Sequence, residues 1–329
     1  MMHLRTLRLL ALILPFQMAC GAEAASDPPG AVAGDEAGPA ASAPTDTVRM
    51  TFESAADIEA FFDEIGYGPA DWAAGVREVP RLYVTDVGER WRRRANTDLL
   101  VDAKKRIFFR AMAPLALRSN EFIRAERERL ESLPAGAALT EDHRRWLADL
   151  AADYGVESPG GGAGDAAEWE AVREALRMRV DEVPVSLVLA QAANESGWGT
   201  SRFAAEGNAL FGQWSFGGSG MLPEAQRESL GDYRVAAFES PLLSVVAYMR
   251  NLNTHASYAS LREIRARARA AGDVPRGLDL AAGLERYSER GQAYVDEIRS
   301  MIEFNGIQEA DLTYLSSGPV YLVVPTPEG

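Results

Sequence analysis

Cysteine occurs once in the 329 residues, at Cys20, which excludes an intrachain disulfide. The three histidines, His3, His143 and His255, are scattered, and no cysteine–histidine cluster has metal-ligand spacing. No metal and no cofactor are therefore expected. Lysine is nearly missing: Lys104 and Lys105 are the only two among 34 basic residues. Acidic residues outnumber basic ones to give a net charge of −14, which argues against nucleic acid as the main partner. Internal repeats and coiled-coil heptads are absent. The apolar run from Leu9 to Phe16 is too short to span a bilayer as a helix.

What is present is an ordinary globular composition, 47% apolar and 25% charged, enough for one large domain or two moderate ones. Arg5 and Arg8 ahead of the short apolar run make residues 1–19 a signal peptide. "QMAC" at 17–20 resembles a bacterial lipoprotein box, with Gln17 where that box prefers Leu. Cleavage after Ala24 is the rival reading. Both send the protein out of the cytoplasm, to the periplasm or cell envelope. The first adds a membrane anchor through lipid on Cys20. Residues 20–47 are Ala, Gly, Pro and acid, with almost nothing to pack in a core, and read as a disordered tether.

The body divides into a helical region at 48–157, a second unit at 166–308 and a tail at 309–329. Three-and-four spacing of apolar residues predicts helices over 55–67, 96–133, 139–156, 166–180, 184–195, 240–254, 258–272, 278–288 and 292–307. Pro114 is expected to kink or split the second of these. Thr140 and Ser240 are expected N-caps. "VPRLYV" (79–84) and "GPVYLVV" (318–324) read as extended, and 211–239 as a small hairpin or irregular lobe. The fold class is mainly α, with a small β lobe inserted late and a helical N-terminal extension.

The chemistry centres on "AANESGWGTSRFA" (192–204), where an apolar helix breaks and leaves Glu195 at its end. Partial burial of a carboxylate raises its pKa, because the charged form loses solvation. A Glu held near about 6 donates a proton at neutral pH, as a glycosidase acid must. The glycines permit a tight turn, and Trp198 offers an apolar face of the kind that stacks on sugars. "GNALFGQW" (207–214) is a second Gly/aromatic turn, and "LERYSERGQAY" (284–294) places Tyr287 and Tyr294 on a later helix.

Taken in order, "AQAANESGWGTSRFA", "NALFGQW" and "LERYSERGQAY" resemble the bacterial N-acetylglucosaminidases of glycoside hydrolase family 73, and among them the Bax-type members. "DAKKRIFFRAMAPLALRSNEFIRAERERL" (102–130) and "YMRNLNTHASYASLR" (248–262) share that likeness. The resemblance implies a lysozyme-like helical fold with a β lobe flanking a groove. It implies hydrolysis of peptidoglycan glycan strands on the reducing side of N-acetylglucosamine. Glu195 matches the family's catalytic acid and Tyr287 its later tyrosine. Trp198, Asn208, Phe211, Trp214 and Tyr294 are expected to contact substrate, with Ala209 departing from an expected second Asn. A second carboxylate about 5–10 Å away is needed unless the substrate's N-acetyl group serves. Glu224 and Glu228 are the leading candidates, then Asp232 and Glu239.

A lytic transglycosylase or muramidase of the same fold, or a catalytically silent wall-binding protein, is the alternative. A monomer is expected. The charge runs "ERWRRR" (89–94) and "REIRARARA" (262–270) read as solvated helix faces, and His255 as a satisfied polar residue.

Overall fold

The computed structural model describes residues 46–160, 163–216, 220–223 and 233–326. Cys20, the signal peptide, nearly all of the tether, Glu224, Glu228 and Asp232 lie outside the described residues.

Helix signals in the sequence translate into caps. Strand β1 (Thr47–Met50) leads to α1 (Ala55–Glu64), whose N-cap Ser54 and Asp57 exchange reciprocal side-chain bonds. Then follow α2 (Pro69–Ala73), β2 (Glu78–Val84) and α3 (Gly88–Thr97). The long helix α4 runs unbroken from Val101 to Ser132 through the buried Pro114. A proline there removes the N–H that would meet the Arg110 carbonyl, and the Tyr67 hydroxyl donates to that carbonyl instead at 3.3 Å. The expected split does not occur because the orphaned acceptor has a partner.

Thr140 caps α5 (Glu141–Asp153) and Asp165 caps α6 (Ala166–Arg179). Helices α7 (Val185–Ser196) and α8 (Arg202–Gly207) precede a two-stranded antiparallel lobe of β3 (Trp214–Phe216) and β4 (Tyr233–Val235). Ser240 caps α9 (Pro241–Thr254), which is followed by α10 (Ala259–Ala270). The helix expected over 278–288 shrinks to α11 (Gly277–Leu280) and a 3-10 turn. Gly283 explains the break: a Cβ there would lie 2.4 Å from the Leu261 Cα, so the chain passes directly against α10. Helix α12 (Gln292–Phe304) and β5 (Tyr314–Val323) complete the chain.

The C-terminal strand is central. It pairs in parallel with β1 on one side and β2 on the other, joining the two ends of the body in one three-stranded sheet. A single apolar core runs from Phe108, Met112 and Leu115 of α4, through Leu187–Ala193 of α7 and Val245–Leu252 of α9, to Val295, Ile298 and Ile302 of α12. The N-terminal helices therefore complete the core around α7. The architecture is mainly α with a small β lobe. Among the described residues no helix is long and apolar enough to cross a membrane.

The charge run at 262–270 contradicts the expectation of a solvated face. Arg262 and Arg265 of α10 are buried, at 6% and 1% exposure. Arg262 donates to the carbonyls of Leu252 and His255, at 3.0 and 2.9 Å. In the other run, Trp91 faces inward, while Arg90 and Arg94 bind Glu53. Helix polarity along a sequence does not reveal carbonyls arriving from other elements, and those carbonyls are what hold Arg262. His255 is satisfied: its Nδ1 accepts from the Ser257 N–H at 3.2 Å.

Candidate active site

Helix α7 is buried from Val185 to Ala193, so apolar contact on all sides fixes its position. Its end is set by local chemistry. Gly197 takes a left-handed φ of 59°, and Trp198 and Gly199 follow at 64° and 73°. Left-handed backbone suits glycine but strains a bulky residue such as tryptophan. Two features hold Trp198 there. Its ring packs edge-on against Phe109 and Phe108, with centroids at 5.0 and 5.7 Å, and its carbonyl accepts from the Trp91 indole at 3.1 Å. Ser196, fully buried, donates to the Ala192 carbonyl at 2.6 Å and accepts the Gly199 N–H at 2.8 Å. A Cβ on Gly199 would meet the Trp91 indole nitrogen at 3.0 Å. The Ser-Gly-Trp-Gly string thus locks the helix end that carries Glu195.

Glu195 keeps part of its surface exposed, but its Oε2 is cut off from solvent and has no partner among the described residues. Its Oε1 is well held. The Tyr294 hydroxyl donates to it at 2.6 Å and the Asn194 amide at 3.3 Å. Behind Tyr294 stands a buried chain: Gln191 Nε2 donates to the Tyr294 oxygen at 2.8 Å, and the Tyr248 hydroxyl donates to Gln191 Oε1 at 2.5 Å. Gln191, Tyr248 and Tyr294 are all at 0% exposure.

Burial pushes the Glu195 carboxyl up to about 8. The bonds from Tyr294 and Asn194 oppose that rise, as does the positive charge of Arg290, while the negative charge of Glu297 adds to it. Arg290 and Glu297 bind each other at 2.6 Å, so their fields at Glu195 largely offset. The arrangement is a carboxyl whose burial favours the protonated form, held at Oε1 by Tyr294 and Asn194 and, among the described residues, without a partner at the shielded Oε2.

Several expected contact residues have other work. Phe211 is buried and stacks on Tyr248, with centroids at 3.8 Å and planes 6° apart, so it is core rather than groove wall. Asn208, in left-handed backbone at φ 52°, spends its side-chain amide on the backbone. Its Oδ1 accepts the Val87 N–H at 2.9 Å and its Nδ2 donates to the Phe238 carbonyl at 3.1 Å. Ala209, beside it, is buried. Tyr294 supports Glu195 from within the core. Trp198 is half-buried, its ring taken by α4 and by the Lys105 ammonium 5.2 Å from its centroid. Trp214 is half-buried on β3, tilted against Tyr233 at 5.0 Å.

Tyr287 lies in the turn before α12, not on a helix. It is buried, stacks on Tyr294 at 5.3 Å with planes 7° apart, and donates to the Phe211 carbonyl at 3.3 Å. Glu239 is exposed at the start of α9. Among the described residues no group of three or more His, Cys, Asp or Glu could hold a metal ion.

Sequence reasoning did not give Gln191 a role and missed Tyr248, Arg290 and Glu297. One signal was available for Gln191: it is the lone amide in the apolar stretch of α7, one turn before Glu195.

A carboxyl of raised pKa stands at the end of α7 in a helical body with a small β lobe, and comparison with known proteins gives the chain's family. Residues 171–306 match the family of mannosyl-glycoprotein endo-beta-N-acetylglucosaminidases. Over 202 residues the chain is 34% identical to Protein bax of Escherichia coli (strain K12), covering 61% of this chain and 70% of that protein. No solved structure matches. The chain belongs to the glucosaminidase family, and Glu195 with its tyrosine support lies within the matched residues.

Proposed function

We propose that the protein is a peptidoglycan hydrolase that cuts the glycan strand on the reducing side of N-acetylglucosamine, with Glu195 as general acid. The observation that supports this reading is the Glu195 carboxyl itself: Oε1 bonded by Tyr294, Oε2 unbonded, and the proton retained up to about pH 8. The Glu195 proton passes to the glycosidic oxygen as the bond from the sugar's anomeric carbon to that oxygen breaks; water then adds to the anomeric carbon, and the proton it loses restores the acid. The positive charge that develops on the sugar is met by a carboxylate, Glu224 or Glu228, or by the substrate's own N-acetyl group. Glu224→Gln and Glu228→Gln separate these cases: full activity in both favours the N-acetyl group, with Asp232 and Glu239 examined next.

The test is mass analysis of products from purified sacculi. Reduced glucosamine ends are expected. Anhydromuramic ends would mean transglycosylation, reduced muramic ends a muramidase, and binding without release a silent wall-binding protein. In the same reading the protein is exported and held at the membrane by lipid on Cys20, supported by the charged start, the short apolar run and "QMAC". Cys20→Ala should move it from the membrane to the soluble envelope fraction. Retention of that variant in the membrane fraction would reject the anchor.

A further inference from the structure

We infer that Tyr248 and Gln191 are positioning residues that fix the direction of a buried hydrogen-bond relay and so make the Tyr294 hydroxyl a donor to Glu195. The inference rests on the general-acid reading above and deepens it.

The relay has one consistent direction. The Tyr248 hydroxyl is fully buried, and among the described residues its one acceptor is Gln191 Oε1. An amide turned the other way would present NH2 to Tyr248 and leave that hydroxyl's hydrogen without an acceptor. Tyr248 therefore sets the Gln191 amide. With Oε1 occupied, Gln191 presents Nε2 to the Tyr294 oxygen. That oxygen is now an acceptor on one side, and its own hydrogen turns to the remaining partner, Glu195 Oε1. Oε1 accepts from Tyr294 and Asn194 while Oε2 is shut off from solvent, so the relay acts on Glu195 through the bond to Oε1. The ring stack of Phe211 on Tyr248 and that of Tyr287 on Tyr294 hold the two phenols in register. The aromatics expected to face substrate thus serve the acid from behind.

Among the described residues the groups acting on Glu195 include Tyr294 and Glu297 of α12, Arg290 of the preceding turn, Tyr248 of α9 and the neighbouring Asn194. Neither Gln191 nor Tyr248 is charged at neutral pH, so a variant at either adds or removes no charge near Glu195.

The sign of the effect follows. A hydrogen bond to the carboxylate favours the charged form, so freeing the relay lets the Glu195 pKa rise further. In Tyr248→Phe the Gln191 amide loses the bond that fixes it and can turn, letting Tyr294 donate to it in place of Glu195, so the alkaline limb of sacculus hydrolysis moves up by about half a pH unit. Turnover falls several-fold with KM unchanged. Tyr294→Phe gives the larger shift, about one unit. A second readout needs no turnover: infrared titration of the carboxyl band lost in Glu195→Gln reads the same pKa directly in the folded protein.

Should Tyr248→Phe not fold, Gln191→Met, close in volume and without polar ends, is measured in the same two ways. A wild-type alkaline limb and a wild-type infrared pKa in Tyr248→Phe would overturn the relay while leaving the acid role of Glu195 intact. Full activity in Glu195→Gln would overturn the acid role, and the infrared shift would still judge the relay alone.

Discussion

Two of the buried polar clusters among the described residues are built on opposite rules. Around Asp181, between α6 and α7, every strong donor is spent. Arg265, at 1% exposure, donates to the carbonyls of Asp181, Glu182 and Met178 and to Asn253 Oδ1, and pairs with the Asp181 carboxylate. Arg269 adds a 3.0 Å bond to the same carboxylate. Burial pushes the Arg265 guanidinium down to about 10, which still leaves it charged at neutral pH. Around Glu195 the polar chain is equally buried, but it stops one atom short, at Oε2. A saturated cluster fixes elements in place. A cluster that ends on a carboxyl whose burial favours the protonated form has a proton left to give.

The largest expected effect breaks the second cluster alone. Glu195→Gln keeps the shape and the Oε1 bond and removes the proton. Hydrolysis of sacculi should fall roughly 10³-fold with the fold unchanged by circular dichroism. Hydrolysis at the wild-type rate would leave the one-sided carboxyl without a catalytic meaning.

The matching break in the saturated cluster should do the reverse. Arg265→Met strips the donors from three carbonyls and an amide and leaves Asp181 partly uncompensated. A loss of about 3–5 kcal/mol in urea unfolding is expected, with the activity of the folded fraction retained. An unfolding midpoint equal to that of wild type would show that the network is not structural.

Sequence carried these two clusters unequally. The turn after Glu195 was legible because its causes are local: a serine that caps, two glycines for left-handed backbone, an aromatic between them. The caps at Ser54, Thr140, Asp165 and Ser240 are local too, and two of them were named from sequence. The relay was not legible, since Tyr294 and Tyr248 stand 103 and 57 residues from Gln191. The Arg265 cluster was misread for the same reason: a charge run shows what a helix carries, not which carbonyls approach it. The β1–β5–β2 sheet was hidden because parallel pairing between chain ends leaves no hairpin signature, and β1 is only four residues long.

The pH dependence of stability sharpens the comparison further. The folded protein holds the Glu195 proton to about 8, against 4.5 for the free side chain. Between those values the folded state binds more protons than the unfolded state, so stability falls as pH rises through the window. The contribution is whole below the free value and gone above the folded one. Glu195→Gln has no proton to lose. Its unfolding free energy should match wild type near pH 5 and exceed it near pH 9, by roughly 2–4 kcal/mol once partial exposure is allowed for. Parallel curves across that range would mean that the carboxyl is not buried enough to act as an acid at neutral pH.

The smallest effect concerns Asn208, a residue that sequence assigned to substrate and the structure assigns to the saturated class. Both ends of its amide are taken by backbone, from Val87 and Phe238, and its φ of 52° is one that asparagine and glycine tolerate best. Asn208→Gly keeps the backbone geometry and loses only the two bonds, for about 1–2 kcal/mol. Asn208→Ala adds the left-handed penalty and should cost about 1 kcal/mol more. Neither should change KM for sacculi. A raised KM with unchanged stability would return Asn208 to the substrate side, and the rule that saturated groups are structural would fail there.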